Sequence, residues 1–152
     1  MLKQKLQEDL KQSMLAKDAP KTSTLRMLIS AVGYYEIQKG GAGYEATDED
    51  VLSVIGREVK QRNDAVEQFM AAGREELAAK ELKEKAILEV YLPEQMTEED
   101  IRRIVADAVS KTGASVPQDM GKVMGVLMPQ VKGKADGGLV SKIVKEALSP
   151  TS

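Results

Sequence analysis

Apolar residues recur at helical spacing along almost the whole chain. The first stripe lies within residues 2–16 and consists of side chains four positions apart, Leu2, Leu6, Leu10 and Met14. This spacing predicts an amphipathic helix that turns one face towards a core. Asp18 and Pro20 are expected to end this helix, because a proline interrupts helical hydrogen bonding.

A second helix is predicted after Pro20, with Thr22 or Ser23 as its N-cap. Its inner face would carry residues at helical spacing, Leu25, Leu28, Ile29, Val32 and Tyr35. The stretch 39–46, KGGAGYEA, is rich in glycine and is expected to form a flexible loop between the second helix and the third.

The sequence TDED at residues 47–50 matches a capping box, with Asp50 in the position where Glu or Gln is usual. It predicts the start of a third helix, for which Gly73 would be the C-terminal cap. A fourth helix is predicted over 74–91. It should end before Pro93, because the residue that precedes a proline is biased away from helical backbone. Its inner face would hold four side chains, Leu77, Leu82, Ile87 and Tyr91.

The segment 93–97, PEQMT, predicts a hinge between two domains. A second capping motif at Thr97 begins a fifth helix, which Gly113 would close. Asp136 is expected to cap a seventh helix. The sixth helix is expected between two prolines, over residues 118–128 between Pro117 and Pro129.

This order of helices predicts an all-α protein with two domains. A four-helix N-terminal domain would occupy residues 1–93, and a three-helix tail domain would occupy residues 94–152. Aromatic residues make up only 3% of the chain, so the cores would be built from aliphatic side chains, methionine and alanine. These residue types favour helices over sheets.

The composition excludes several kinds of chemistry. The chain has neither cysteine nor histidine, which rules out Cys/His zinc sites, disulfides, cysteine nucleophiles and Ser-His-Asp triads. Its acidic clusters at 47–50 and 98–100 lie at predicted helix N-termini, where acids cap the helix and offset its dipole. No metal site and no cofactor are therefore expected.

The apolar runs also bear on location. None of them approaches the length of about 18 residues that a membrane-spanning helix needs. The first residues, MLKQKLQEDLKQ, mix charges with leucine and do not resemble a secretory signal. These features predict a cytoplasmic protein without a membrane span.

Charge is distributed unevenly along the chain. The net charge is −2, yet the segment 122–145 holds five lysines and one acid, and thus carries +4. The rest of the chain must then carry −6. In the N-terminal domain, Arg57, Lys60 and Arg62 lie among acids and are expected to form solvated pairs at i, i+4 spacing. The alternative is that they provide a second contact to nucleic acid. The excess of positive charge therefore lies in the segment 122–145.

Two long stretches of the chain resemble the YqeY-like family, also called the GatB/YqeY family. They are KQRNDAVEQFMAAGREELAAKELKEKAILEVYLPEQMTEEDI, residues 60–101, and MGKVMGVLMPQVKGKADGGLVSKIVKEAL, residues 120–148. The resemblance covers essentially the full chain. It implies an all-helical fold in which a helical N-terminal domain precedes a tail-like domain.

The resemblance also implies a functional context. The C-terminal domain is similar to the tail of the B subunit of tRNA-dependent amidotransferase, which helps to hold tRNA. Ammonia production and ATP-dependent activation belong to parts of that enzyme which are not present in this sequence. A label of carbon–nitrogen ligase with glutamine as amido-N-donor would therefore be inherited from the larger enzyme. No nucleophile–base pair or phosphate loop identifies a catalytic residue here.

Several features of the tail permit two interpretations. Gly121 and Gly125, four residues apart, would either let another helix approach closely or expose backbone N–H groups to a phosphate. The methionines at 120, 124 and 128 predict either a core stripe or an adaptable binding surface. Glycines 133, 137 and 138 predict a tight turn and a helix start, where free N–H groups also favour an anion.

The first functional hypothesis is a tRNA-binding accessory module with no catalysis of its own. Its contacts would come from lysines and glycines of the tail, Lys122, Lys132, Gly133, Lys134, Gly137, Lys142 and Lys145. Since the tail has no aromatic residue, it would recognise folded shape and phosphates rather than stacked bases. Suspected partners are tRNA and components of an amidotransferase or tRNA synthetase. The alternative is a protein–protein adaptor that uses the Met- and Gly-rich tail.

Overall fold

The computed structural model describes residues 1–149, and all regular structure in that range is helical. The prediction of an all-α fold is thus confirmed. The chain divides into two compact units, Met1–Leu92 and Pro93–Ser152. Each unit encloses a hydrophobic cluster of its own. No helix within the described residues is both long enough and apolar enough to cross a bilayer.

The first unit contains α1 (Leu2–Leu15), α2 (Ala19–Gly40), α3 (Asp48–Ala71) and α4 (Glu75–Glu89). Its core draws on every one of these helices and on the loop before α3. The buried apolar residues are Leu6, Leu25, Leu28, Val32, Ala46, Val51, Val54, Ile55 and Leu88. The unit is therefore a helical bundle closed mainly by leucine, valine and isoleucine.

The boundary between α1 and α2 differs from the prediction. Asp18 does not end the first helix but caps the second, and its carboxylate accepts a hydrogen bond from the backbone N–H of Lys21 at 3.2 Å. Pro20 lies in the first turn of α2, where a missing N–H costs no helical hydrogen bond. The prediction of Thr22 or Ser23 as the N-cap was therefore wrong.

The start of α3 follows the prediction closely. Thr47 and Asp50 form the expected capping box, in which each side chain accepts a hydrogen bond from the backbone N–H of the other residue. Gly73, just beyond the end of α3, has a φ of +71°, which suits glycine after a helix. The loop before α3 begins later than predicted, since α2 extends to Gly40.

Asp50 also joins α2, the following loop and α3. Its carboxylate accepts hydrogen bonds from Tyr35 Oη at 2.9 Å, Lys39 Nζ at 2.7 Å and Tyr44 Oη at 2.6 Å. The Lys39 ammonium lies 5.6 Å from the ring centre of Tyr35 and 5.5 Å from that of Tyr44. These contacts, with the bond from Lys39 the largest, hold the pKa of Asp50 well below its ordinary value.

The face that α4 buries is not the one that apolar spacing predicted. Leu77 and Leu82 are 40% and 48% exposed, whereas Ala78 and Leu88 are buried. Tyr91, just beyond the helix, is half-buried against the core as expected. Of the positions predicted to face inward, Leu77 and Leu82 are therefore exposed, whereas Tyr91 packs against the core.

A buried charge explains this error. Arg62 of α3 is 5% exposed, and its Nη1 lies 2.6 Å from Glu58 Oε2 on the same helix. Its Nε lies 3.5 Å from Glu84 Oε2 on α4. The surface between α3 and α4 is therefore partly ionic, and a search for apolar stripes selects the wrong side of α4.

The second unit contains α5 (Glu98–Thr112), a short 3₁₀ turn (Pro117–Asp119), α6 (Met120–Val131) and α7 (Gly137–Leu148). Thr97 and Asp100 form the predicted capping box at the start of α5, and Gly113 follows the helix in the left-handed conformation. Asp136 caps α7 as predicted. The core residues are Ile101, Val105, Ala108, Ala114, Val123, Leu127, Val131, Val140, Ile143, Val144 and Leu148.

The bounds of α6 correct one prediction. Pro129 does not stop this helix but lies inside its last turn, while Pro117 opens the preceding 3₁₀ turn. A proline at 129 leaves the carbonyl of Gly125 without its helical donor. Gly125 is exposed and has no side chain to cover that carbonyl, so water can satisfy it. The helix therefore continues to Val131.

The orientation of α4 is tested by a pair of matched substitutions. Leu88→Ala should lower the free energy of unfolding by about 2–5 kcal/mol, because it opens a cavity in the core. Leu82→Ala on the same helix should change that free energy by less than about 0.5 kcal/mol, since this side chain is half in water. Urea denaturation followed by circular dichroism measures both. Equal losses would show that Leu82 is also a core residue.

Acid should weaken the first unit through Asp50. The pKa of Asp50 lies below the ordinary value of about 3.9 that applies to the unfolded chain. Its ionised form therefore adds stability above about pH 4, which is lost as the pH falls towards the folded-state pKa. The melting temperature should drop less between about pH 5 and about pH 3 in Asp50→Asn than in the wild type.

Asp64, exposed on α3, supplies the control for that measurement. The Asp64→Asn variant should keep the wild-type dependence of melting temperature on pH. If Asp50→Asn kept it as well, the carboxylate of Asp50 would not be the group responsible.

Candidate nucleic-acid interface

The core of the second unit fixes which faces of α6 and α7 are exposed. On α6, Val123, Leu127 and Val131 are buried at helical spacing. On α7, Val140 and Val144 are buried in the same cluster. The two helices are joined by a short turn and pack against each other. Their opposite faces hold the exposed side chains, both polar and apolar.

The lysines predicted as contacts occupy these opposite faces, and all of them are exposed. We call them the lysine band, consisting of Lys122 on α6, Lys132 and Lys134 in the turn after it, and Lys142 and Lys145 on α7. Lys122 Nζ lies 3.9 Å from Asp119 Oδ1, a loose pair at the surface. The band thus follows α6, the turn and α7.

The turn between α6 and α7 places two of these lysines on either side of a glycine. Gly133 has a φ of +77°, which side chains with a Cβ rarely adopt. The N–H groups of Lys134 and Ala135 both donate to the carbonyl of Val131, at 2.9 Å and 3.0 Å. Lys132, Gly133 and Lys134 are therefore brought together by a tight, internally bonded turn.

The same turn is anchored by the segment before α5. The side-chain amide of Gln95 donates to the carbonyl of Gly133 at 3.0 Å, and the N–H of Met96 donates to the carbonyl of Lys134 at 2.8 Å. The sequence predicted only a hinge for this segment. Nothing in the local pattern indicated these bonds, because the partners lie 38 residues apart.

The lysine band is extended and does not form a single pocket. With a helical rise of about 1.5 Å per residue, Lys122 lies about 15 Å along the axis from Lys132. The structure therefore brings Lys132, Gly133 and Lys134 together, but it does not bring Lys122 to them.

The N-terminus of α7 is already occupied by a negative group. The carboxylate of Asp136 accepts a hydrogen bond from the N–H of Leu139 at 3.3 Å. Gly137, the first residue of the helix, is exposed. A phosphate at this helix end would meet the Asp136 carboxylate, so positive charge for an anion must come mainly from the lysines.

The outer side of α6 bears on two questions that the sequence left open, namely the role of its glycines and the role of its methionines. A Cβ at Gly121 or Gly125 would have no neighbouring atom within 4 Å, so these glycines do not admit another helix of the described chain. Met120 and Met124 are partly buried against the core, but Met128 is 40% exposed. The core interpretation of the methionines therefore holds for Met120 and Met124 but not for Met128, and the fully buried stripe of α6 consists of Val123, Leu127 and Val131.

Acidic groups of this unit are held in local contacts. The N–H of Ser115 and then that of Val116 hold the pKa of Asp119 below its ordinary value. Arg102 on α5 pairs with Glu98 at 2.7 Å and with Glu146 at 3.2 Å. Within residues 1–149, no group of three or more acids could hold a metal ion. The acids thus serve as caps and pairing partners in this unit.

This arrangement defines an all-helical protein whose C-terminal unit presents an extended basic surface. The family model described as Yqey-like protein matches residues 3–148. The chain belongs to the YqeY-like family.

Curated relatives match the chain over most of its length. A Pyrenophora tritici-repentis protein named "Altered inheritance of mitochondria protein 41, mitochondrial" is 31% identical over 95% of this chain and 79% of its own length. A Saccharomyces cerevisiae protein of the same name is 27% identical over 93% of this chain and 80% of its own length. The Clavispora lusitaniae protein of that name is 37% identical over 57% of this chain and 49% of its own length.

These names correct one expectation. A cytoplasmic location was predicted from the absence of an apolar signal or span. The relatives that cover most of the chain are named as mitochondrial proteins, so that prediction was wrong. Composition alone does not distinguish these two compartments.

The geometry of the turn leads to a stability prediction. Gly133→Ala should lower the free energy of unfolding by about 1–2 kcal/mol, because alanine is strained at a positive φ. Gly137→Ala should be neutral or stabilising by less than about 1 kcal/mol, because a Cβ there meets open space at a helix start. Urea denaturation of the whole chain compares the two variants. A harmless Gly133→Ala would contradict the turn described here.

Proposed function

We propose that this protein is a tRNA-binding accessory module that acts through its C-terminal unit and catalyses no reaction of its own. One observation carries the proposal most directly. Lys134, Lys142 and Lys145 are exposed, and no carboxylate of residues 1–149 forms an ion pair with any of them. Surface ammonium groups without a carboxylate partner suit a phosphate backbone, since binding releases the counterions of the nucleic acid.

The shape of the surface supports recognition of phosphates over recognition of bases. Residues 94–152 contain no aromatic side chain on which a base could stack. The band is also too extended for a pocket that encloses one nucleotide. A folded RNA, whose phosphates follow a continuous path, fits this surface better than an unpaired strand.

The proposal assigns no catalytic residue and no cofactor. The similarity of the tail to that of an amidotransferase subunit supports the binding of tRNA, and it makes components of an amidotransferase or a tRNA synthetase candidate partners. A carbon–nitrogen ligase activity, if found in cells, would then belong to such a partner. Because the relatives are named as mitochondrial, mitochondrial tRNA belongs among the RNAs to be tested for binding.

Salt dependence of binding tests the proposal. The full chain should retain bulk or mitochondrial tRNA on filters at about 50 mM salt and much less at about 200 mM. Three or four lysine contacts predict a slope of roughly −2 to −4 for log K against log salt. Lys132→Ala combined with Lys134→Ala should weaken binding and flatten that slope by about one to two units.

Two lysines outside the band provide a matched control. Lys80 and Lys83 are exposed on α4 of the first unit, and their double replacement by alanine should leave the slope unchanged. Retention of tRNA that does not depend on salt, or that both double variants reduce equally, would refute a specific role for the band.

The exposed Met128 gives some support to a second candidate function, a protein–protein adaptor. Met128 and Val126 are 40% and 38% exposed on α6, near the open glycine face. For an adaptor, Met128→Asp should abolish capture of the partner while the lysine replacements leave it intact. The tRNA module predicts the reverse pattern in filter binding.

A further inference from the structure

The second helix of the first unit has apolar residues on both of its sides. One side supplies Leu25, Leu28 and Val32 to the core. The opposite side carries Met27, Tyr34 and Ile37, which are 47%, 70% and 64% exposed. Because these three residues recur at helical spacing, they lie on one face, which no helix of the described first unit covers.

This outer face of α2 is almost free of charge. It consists of the positions Ala19, Ser23, Arg26, Met27, Ser30, Gly33, Tyr34 and Ile37, of which Arg26 alone is charged. Charged residues make up 30% of the whole chain. A helix face that is in contact only with water normally carries several charged residues, and this face has one over about five turns.

A groove continues this face towards the end of α1. It has a volume of about 720 Å³ and lies between the C-terminal end of α1 and the first half of α2. Met14 and Met27 give it apolar walls, and the hydroxyl groups of Ser23 and Ser30 lie along it. Its thioether walls suit contact with an apolar side chain of another helix.

Two cations, Lys17 and Arg26, line the groove. The contact of Arg26 Nη2 inside the described chain is to Met14 Sδ, at 3.8 Å, and no carboxylate of residues 1–149 forms an ion pair with Arg26 or Lys17. Lys17 has a φ of +56°, in a turn where glycine is the usual residue. The groove therefore offers two positive charges that nothing within the described chain neutralises.

We propose that the outer face of α2 and this groove bind one amphipathic α-helix of a partner protein. The partner helix would present apolar residues at i, i+3 or i+4, and i+7 to Met27, Tyr34 and Ile37. It would also carry an Asp or Glu that pairs with Arg26 or Lys17. The site lies in the first unit and is separate from the lysine band.

The charges favour such a partner over a second copy of this chain. A symmetric dimer would place the same face against itself, so its two sets of cations would meet no acid from that face. An acidic amphipathic helix satisfies the apolar face, the groove and both cations together.

A selection from a display library of helical 18-residue peptides tests the proposal. The full-length protein is the bait, and the Tyr34→Glu variant serves for counter-selection. Enriched peptides should share the apolar spacing and an acidic residue. Synthesised versions should bind the wild type and lose at least about tenfold in affinity towards Tyr34→Glu, as expected for a central aromatic contact.

Charge reversal makes the test specific. Arg26→Glu should weaken binding of the acidic peptides, and exchange of their acid for lysine should restore it. Arg57→Glu and Leu82→Glu change exposed residues of α3 and α4 and should leave binding unchanged. Because Tyr34 and Arg26 are also exposed, the variants should keep the wild-type circular dichroism spectrum.

The remaining outcomes would overturn the proposal. Enriched peptides without an acidic preference, or with equal affinity for Tyr34→Glu, would place binding elsewhere. A wild-type dimer in sedimentation that Tyr34→Glu converts to a monomer would assign the face to a second copy. Flotation with anionic vesicles that Tyr34→Glu abolishes would assign it to a membrane.

Discussion

The carboxylate of Asp50 joins three segments of the first unit: α2, the loop that follows it and α3. It accepts hydrogen bonds from Tyr35 and Lys39 on α2, from Tyr44 in the loop and from the backbone at Thr47. A buried carboxylate is costly unless its acceptor positions are filled, and here they are filled by groups that come together only in the folded chain. These contacts tie the first turn of α3, which also brings Val51 into the core, to α2 and to the loop.

Local signals in the sequence identified the helix boundaries well. The capping boxes at Thr47 and Thr97, and the cap at Asp136, depend on residues three positions apart, so the sequence shows both partners. The boundary at Pro20 was harder, because proline both ends helices and begins them. Only the position of Asp18, which supplied the cap, decided between the two.

Contacts between distant residues account for what the sequence did not show. The buried side of α4 follows Arg62 and Glu84, which apolar spacing cannot identify. The exposure of the lysines followed from their helix positions, but the anchoring of their turn by Gln95 and Met96 required the folded chain. The outer face of α2 was missed for a related reason: its apolar residues weakened the contrast between the two sides of the helix, so the inner stripe alone was recognised.

The buried Arg62 has a consequence for how this family can vary. Its guanidinium is held by Glu58 and Glu84, on two different helices, and each carboxylate is itself mostly shielded from water. A neutral residue at position 62 leaves two shielded carboxylates without their cation, whereas loss of either Glu leaves Arg62 paired with the other. Related sequences should therefore keep Arg at position 62 together with at least one of the two acids, or replace all three positions by apolar side chains of similar volume.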